Sequence, residues 1–112
     1  MQQNNETMTL THIHRILGSL GLKPADPELF FTAHAALCAY QQPALLRDLS
    51  GALYPKVAAH YDLEPDEVAQ SLADAIDQIY RTHADALSAL LGQPATSAPQ
   101  IDTFLAAIVA QL

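Results

Sequence analysis

The chain has a single cysteine, no tryptophan, four glycines and only five basic side chains in 112 residues. Each shortage excludes something. One cysteine, Cys38, rules out an internal disulfide and any cysteine-based zinc site, and a lone thiol in an apolar helix reads as a small core residue. No stretch approaches the roughly 18 consecutive apolar residues of a membrane span. The polar segment Met1–Met8 has no apolar run of the kind a secretory signal needs, so the protein is expected to be soluble and cytoplasmic. Five Lys and Arg stand against twelve Asp and Glu, a net charge of -7. Affinity for nucleic acid rests largely on neutralising phosphates, so this balance counts against DNA binding. There is no glycine-rich phosphate loop, no nucleophile beside a base and no cofactor motif, and no enzyme activity, cofactor, metal or small-molecule substrate is expected.

Half of the residues are hydrophobic, enough for a folded domain. Ala and Leu dominate, which favours helices because neither loses much conformational freedom in one. Strand-like alternation and internal repeats are absent, and the sequence predicts an all-α bundle of about six helices. Residues 1–8 are expected to fray, leaving residues 9–112 as one domain. Leu10, Ile13, Ile16, Leu17 and Leu20 recur at helical spacing until Gly21 ends the run. Asp26-Pro27-Glu28 reads as a helix start, with Asp26 a candidate cap, followed by Leu29, Phe30, Ala33, Leu37 and Tyr40 to about Gln42. Pro43 opens a third stretch, which Gly51 and Pro55 should weaken or kink before Val57, Ala58 and Tyr61.

After a short turn, Asp62-Leu63-Glu64, Pro65 opens the most amphipathic helix, with Val68, Leu72, Ala75, Ile76, Ile79 and Tyr80 on one stripe. A short helix over Ala84–Leu91 stops at Gly92, a Pro/Ser/Ala loop follows, and Ile101, Phe104, Leu105, Ile108 and Leu112 mark the closing helix. The expected core draws on Ile13, Leu17, Phe30, Leu37, Leu46, Leu53, Leu72, Ile76, Ile79, Phe104 and Ile108. Tyr54 is expected to pack inward at the bend made by Pro55.

The histidines read as ordinary rather than as ligands. His12 and His14, two apart on a helix, point to different sides, and His34, His60 and His83 lie in separate segments. Asp74 and Asp77 are neighbours at i,i+3 and could in principle do acid-base work, but without a reactive partner they read as a solvated helix face.

Helix, tight turn and longer helix over about residues 43–82 form the skeleton of a helix-turn-helix, whose second helix can enter a major groove. The surrounding residues resemble a known family along nearly the whole length from Ile13 to Leu112. Leu20-Gly21-Leu22, Leu45-Leu46, Leu53-Tyr54-Pro55, and Val57-Ala58 with Tyr61 stand in shared order and spacing. Val68, Ala75-Ile76 and Tyr80 continue the pattern, as do Asp85 with Leu90-Leu91-Gly92. Pro99, Phe104, Ala106, Ala110 and Leu112 keep its closing frame with one Ala shifted. This set is similar to the C-terminal DNA-binding effector domain of the stage zero sporulation transcription factor. The resemblance implies a helical effector domain acting in transcription and sporulation control.

It also implies a recognition helix rich in Arg and His, and here the sequence departs. The residues expected to face DNA or a partner are Glu67, Gln70, Ser71, Asp74, Asp77 and Arg81. Carboxylates there would meet phosphate with like charge, and Glu64, Asp66 and Glu67 crowd the end that a helix-turn-helix aims at the groove. The same acids favour the helix through its dipole, which is their plain structural role. Two functions remain. One is a free-standing regulator that still touches DNA, helped by Arg15, Lys23, Arg47, Lys56 or a basic partner. The other is an acidic protein-interaction or homodimerisation module that does not bind DNA. Neither βαβ alternation nor a phospho-acceptor Asp of a receiver domain is present, so any input signal is expected from elsewhere.

Overall fold

A computed structural model describes the backbone of residues 2–112 and the side chains of residues 6–112. Six α-helices follow one another: α1 (Gln2–Ser19), α2 (Pro27–Gln41), α3 (Tyr54–Tyr61), α4 (Pro65–Thr82), α5 (Ala84–Leu91) and α6 (Ile101–Val109). No strand occurs among the described residues. The all-α expectation is met, and the helix-turn-helix is α3, the turn 62–64 and α4.

The middle of the bundle is α2. Eight of its residues between Leu29 and Ala39 are buried, so it is covered nearly all round and packs against α1, α3, α4 and α6. Ala33, Ala35, Ala36 and Ala39 are fully buried, and their small side chains let neighbouring helices approach closely. Around this axis α1 contributes Ile13 and Leu17, α4 contributes Val68, Leu72, Ala75, Ile76 and Ile79, and α6 contributes Phe104, Leu105 and Ile108. Each of the larger of these side chains contributes about 1.5–3 kcal/mol by leaving water.

One buried polar atom breaks the pattern. Thr32 is completely buried on α2, and its Oγ1 has no hydrogen-bond partner. An unpaired buried hydroxyl carries its full desolvation cost. Thr32→Val, which keeps the shape and removes the oxygen, should raise the unfolding free energy by about 1 kcal/mol. Urea denaturation followed by circular dichroism measures this, and a lower midpoint would contradict it.

The end of α1 shows why Gly21 stands where it does. Leu22 N–H donates to Leu17 O at 3.1 Å and Gly21 N–H to Gly18 O at 3.0 Å, the paired bonds of a helix ending through a left-handed residue. Gly21 has φ +99°, in the left-handed region that a side chain rarely adopts, and faces the exposed His83 ring. Conformation selects glycine there.

Helix α1 begins at Gln2, and Glu6, Thr7 and Met8 in its first turns are exposed. Several expectations need correction. Asp26 precedes α2 but makes no side-chain cap. Its carboxylate turns back to accept from Lys23 N–H at 3.0 Å. The third stretch is not one kinked helix but a 3₁₀ turn (Pro43–Arg47), a π turn (Leu49–Leu53) and then α3. Asp48 divides them, because its carboxylate accepts from Gly51 N–H at 3.0 Å and starts a new turn. Pro55 sits in the first turn of α3, where its missing N–H costs nothing.

Phe30 is 44% exposed and meets His14 edge-on, with ring centroids 6.0 Å apart. In the run Leu29-Phe30-Phe31, only Leu29 is buried. Leu46 is half-buried on the 3₁₀ turn. The other nine residues of the expected core are buried, and Tyr54 packs inward at 8% exposure. The closing helix ends at Val109, before the expected Leu112.

Candidate nucleic-acid or partner interface

The surface in question is built by the start of α4. Helix α3 ends at Tyr61, with Leu63 N–H donating back to Ala58 O at 2.9 Å and Asp62 in the left-handed region at φ 57°. Asp tolerates that region better than most residues. The chain then extends through Glu64 (ψ 148°) into Pro65 at the first helical position. Glu67 accepts the Glu64 N–H at 3.0 Å, satisfying a donor the helix cannot reach. Much of the role of Glu67 is thus to hold the turn that sets α4 against α3.

With α4 seated by its buried stripe, the remaining positions face outward. Glu67, Gln70, Asp74 and Arg81 are exposed, and Ser71 and Asp77 are partly so. The six residues singled out from the sequence therefore share the outer side of one helix. Four of them pair with each other: the Gln70 amide donates to Asp74 at 2.8 Å, and Arg81 Nε lies 3.0 Å from Asp77 Oδ2. These are exposed i,i+4 contacts, each contributing a few tenths of a kcal/mol.

The other cations are spread over separate elements. Arg15 is on α1, Lys23 in the loop after it, Arg47 at the end of the 3₁₀ turn and Lys56 on α3. Lys56 donates to Gln42 at 2.9 Å. The single cation of the α4 outer stripe is Arg81, in its last turn. Among the described residues no three His, Cys, Asp or Glu side chains converge as metal ligands, and no helix is long and apolar enough to cross a membrane.

A second cluster, unforeseen from the sequence, lies where α2 meets α3. The rings of His34 and His60 stack with centroids 4.3 Å apart and planes 26° from parallel. Tyr61 stands edge-on to both, and its hydroxyl donates to Phe30 O at 3.4 Å. The two histidines are 26 residues apart in sequence, and nothing in their local spacing signals the pairing.

Burial pushes the His34 pKa down; His60 and Lys56 push the same way, while Glu6 opposes them. The unfolded chain therefore binds a proton at His34 more readily than the folded one. This contribution to stability is fully present above the ordinary histidine pKa of about 6.5 and is lost as pH falls below it. Urea unfolding at pH 7.5, 6.5 and 5.5 should show stability decreasing across that window, with a shallower decrease in His34→Gln. Equal slopes in the two proteins would contradict the assignment.

Among the described residues, six helices without a sheet, and a short helix joined by a three-residue turn to a longer amphipathic one, have the architecture of a helix-turn-helix domain. Residues 13–112 match the family model described as sporulation initiation factor Spo0A C terminal. The chain belongs to that family, and it is an effector-type domain of the sporulation transcription-factor kind. No curated protein matches the sequence.

Proposed function

We propose that this domain acts in transcription and sporulation control with direct DNA reading by α4 weakened or lost. The observation that carries this is the charge of the outer side of α4. Asp66, Glu67, Asp74 and Asp77 lie along it, against one cation, Arg81, which is paired with Asp77. A helix entering the major groove brings its outer side and N-terminal end against phosphates, and several cationic contacts normally supply the affinity. On α4 those places carry carboxylates.

Fluorescence anisotropy with labelled duplex DNA tests the proposal. Binding should be no tighter than about 10⁻⁵ M at physiological salt, the level of non-specific contact. A sequence-selective nanomolar complex abolished by Gln70→Ala would overturn it. A second reading, an acidic protein-interaction or dimerisation module, is favoured by an apolar groove beside the same helix face.

A further inference from the structure

That groove is open and about 540 Å³ in volume, and it runs between α4, the π turn and the start of α6. Tyr54 and Ile76 are buried core residues that border it, together with Leu49, Ala73, Pro99 and Ile101. Three separate parts of the chain thus meet around an apolar trough. The loop that completes it is fixed from behind: Tyr80 Oη donates to Thr96 O at 2.9 Å, and Ala95 N–H donates to Ser88 Oγ at 2.9 Å.

The carboxylates of α4 stand on one side of this trough. At about 100° per residue, Asp77 lies about 40° around the helix from Ala73 and Asp66 about 20°. Asp74 lies about 100° from Ala73 on the same side. Across the trough Asp102, in the first turn of α6, is itself part of the lining. The only cation among the lining residues or on the α4 outer stripe is Arg81, whose guanidinium is held by Asp77. The trough is therefore mainly apolar, with Asp102 in one wall and the α4 carboxylates beside the other.

We propose that this groove docks a basic amphipathic helical segment of a protein partner, its apolar side in the trough and its Lys or Arg side chains on Asp74, Asp77 and Asp102. Helix-in-groove binding uses apolar anchors at i, i+3, i+4 and i+7 for affinity, while complementary charge at the rim sets orientation and encounter rate. A nucleic acid does not suit the site, because phosphate would meet the carboxylates of both sides. The proposal rests on the reading that the outer side of α4 meets protein rather than DNA.

The probe is a fluorescein-labelled 14-residue peptide of Leu and Lys only, with Leu at helical spacing, titrated with the full chain. Its control has the same composition in scrambled order. The ordered peptide should bind at least tenfold more tightly than the scrambled one. Ala73→Lys, which places a cation at the rim without disturbing the core, should weaken binding tenfold or more. Asp85→Lys, on α5 outside the groove, should change it less than twofold. Amide shifts in ¹⁵N-labelled protein should concentrate at residues 49, 73, 76 and 101.

Equal affinity for ordered and scrambled peptides, or equal losses in Ala73→Lys and Asp85→Lys, would overturn the proposal by reducing the effect to overall charge. Duplex DNA measured in the same format separates the two levels. Tight DNA binding removes the reading of α4 on which the proposal stands. Absence of binding to both DNA and peptide removes the groove proposal alone.

Discussion

Tyr54→Ala should lower the unfolding free energy by about 3 kcal/mol, the cost typical of deleting a buried aromatic ring. The ring is only 8% exposed and belongs to the first residue of α3, so it closes the core where the π turn gives way to the helix-turn-helix. Burial, and after it the nearby Asp102 carboxylate, push its phenol pKa up, as expected for a hydroxyl in a poorly hydrated place. Tyr54→Phe keeps the ring and should stay within about 1 kcal/mol of the parent. Urea denaturation monitored at 222 nm distinguishes the two. An unchanged midpoint in Tyr54→Ala would mean that the ring does not hold α3 in place.

The triple substitution Gln70→Lys, Asp74→Lys, Asp77→Lys should raise affinity for duplex DNA by at least about tenfold at low salt, and steepen its salt dependence. Three cations replace two carboxylates and an amide on the exposed side of α4, and Arg81 loses the carboxylate that holds it. Each added phosphate contact increases the slope of log K against log salt by about 0.9. Glu67 is left unchanged, because its carboxylate closes the first turn of α4 and its loss would mix a folding defect into the result. Anisotropy between 50 and 200 mM salt gives both quantities. A variant with parental affinity and slope would show that α4 does not approach DNA even when its charge permits.

Most of the fold was legible because helical periodicity reports burial directly. The stripe Val68, Leu72, Ala75, Ile76, Ile79 on α4 could be read without any knowledge of its neighbours. What failed was local competition among several good answers. Leu29, Phe30 and Phe31 are all suited to a core, and only their angular positions on α2 put Leu29 inside and leave Phe30 at the edge. Around Asp48 the apolar residues kept a helix-like spacing, while a single side-chain bond to Gly51 N–H restarted the backbone. The outer side of α4 was legible as a set of residues, but the closing role of Glu67 was not, since it depends on where the carboxylate turns. The groove and the stacked histidines were not legible at all. Both are made by segments distant in sequence, and no spacing rule within one helix encodes them.

The burial of Cys38 has a consequence for measuring motion. The thiol lies on the central helix at 3% exposure, is the protein's one cysteine, and has its pKa pushed up chiefly by burial. A thiol-specific reagent needs access and a thiolate, and the packed state restricts both. Reaction must therefore wait for a fluctuation that parts α2 from its neighbours. When reclosing outruns the chemistry, the modification rate divided by that of an unstructured thiol gives the equilibrium constant for opening. The molecule thus carries a built-in clock on the opening of its axis, one that a docked partner or a drop in pH would slow or hasten.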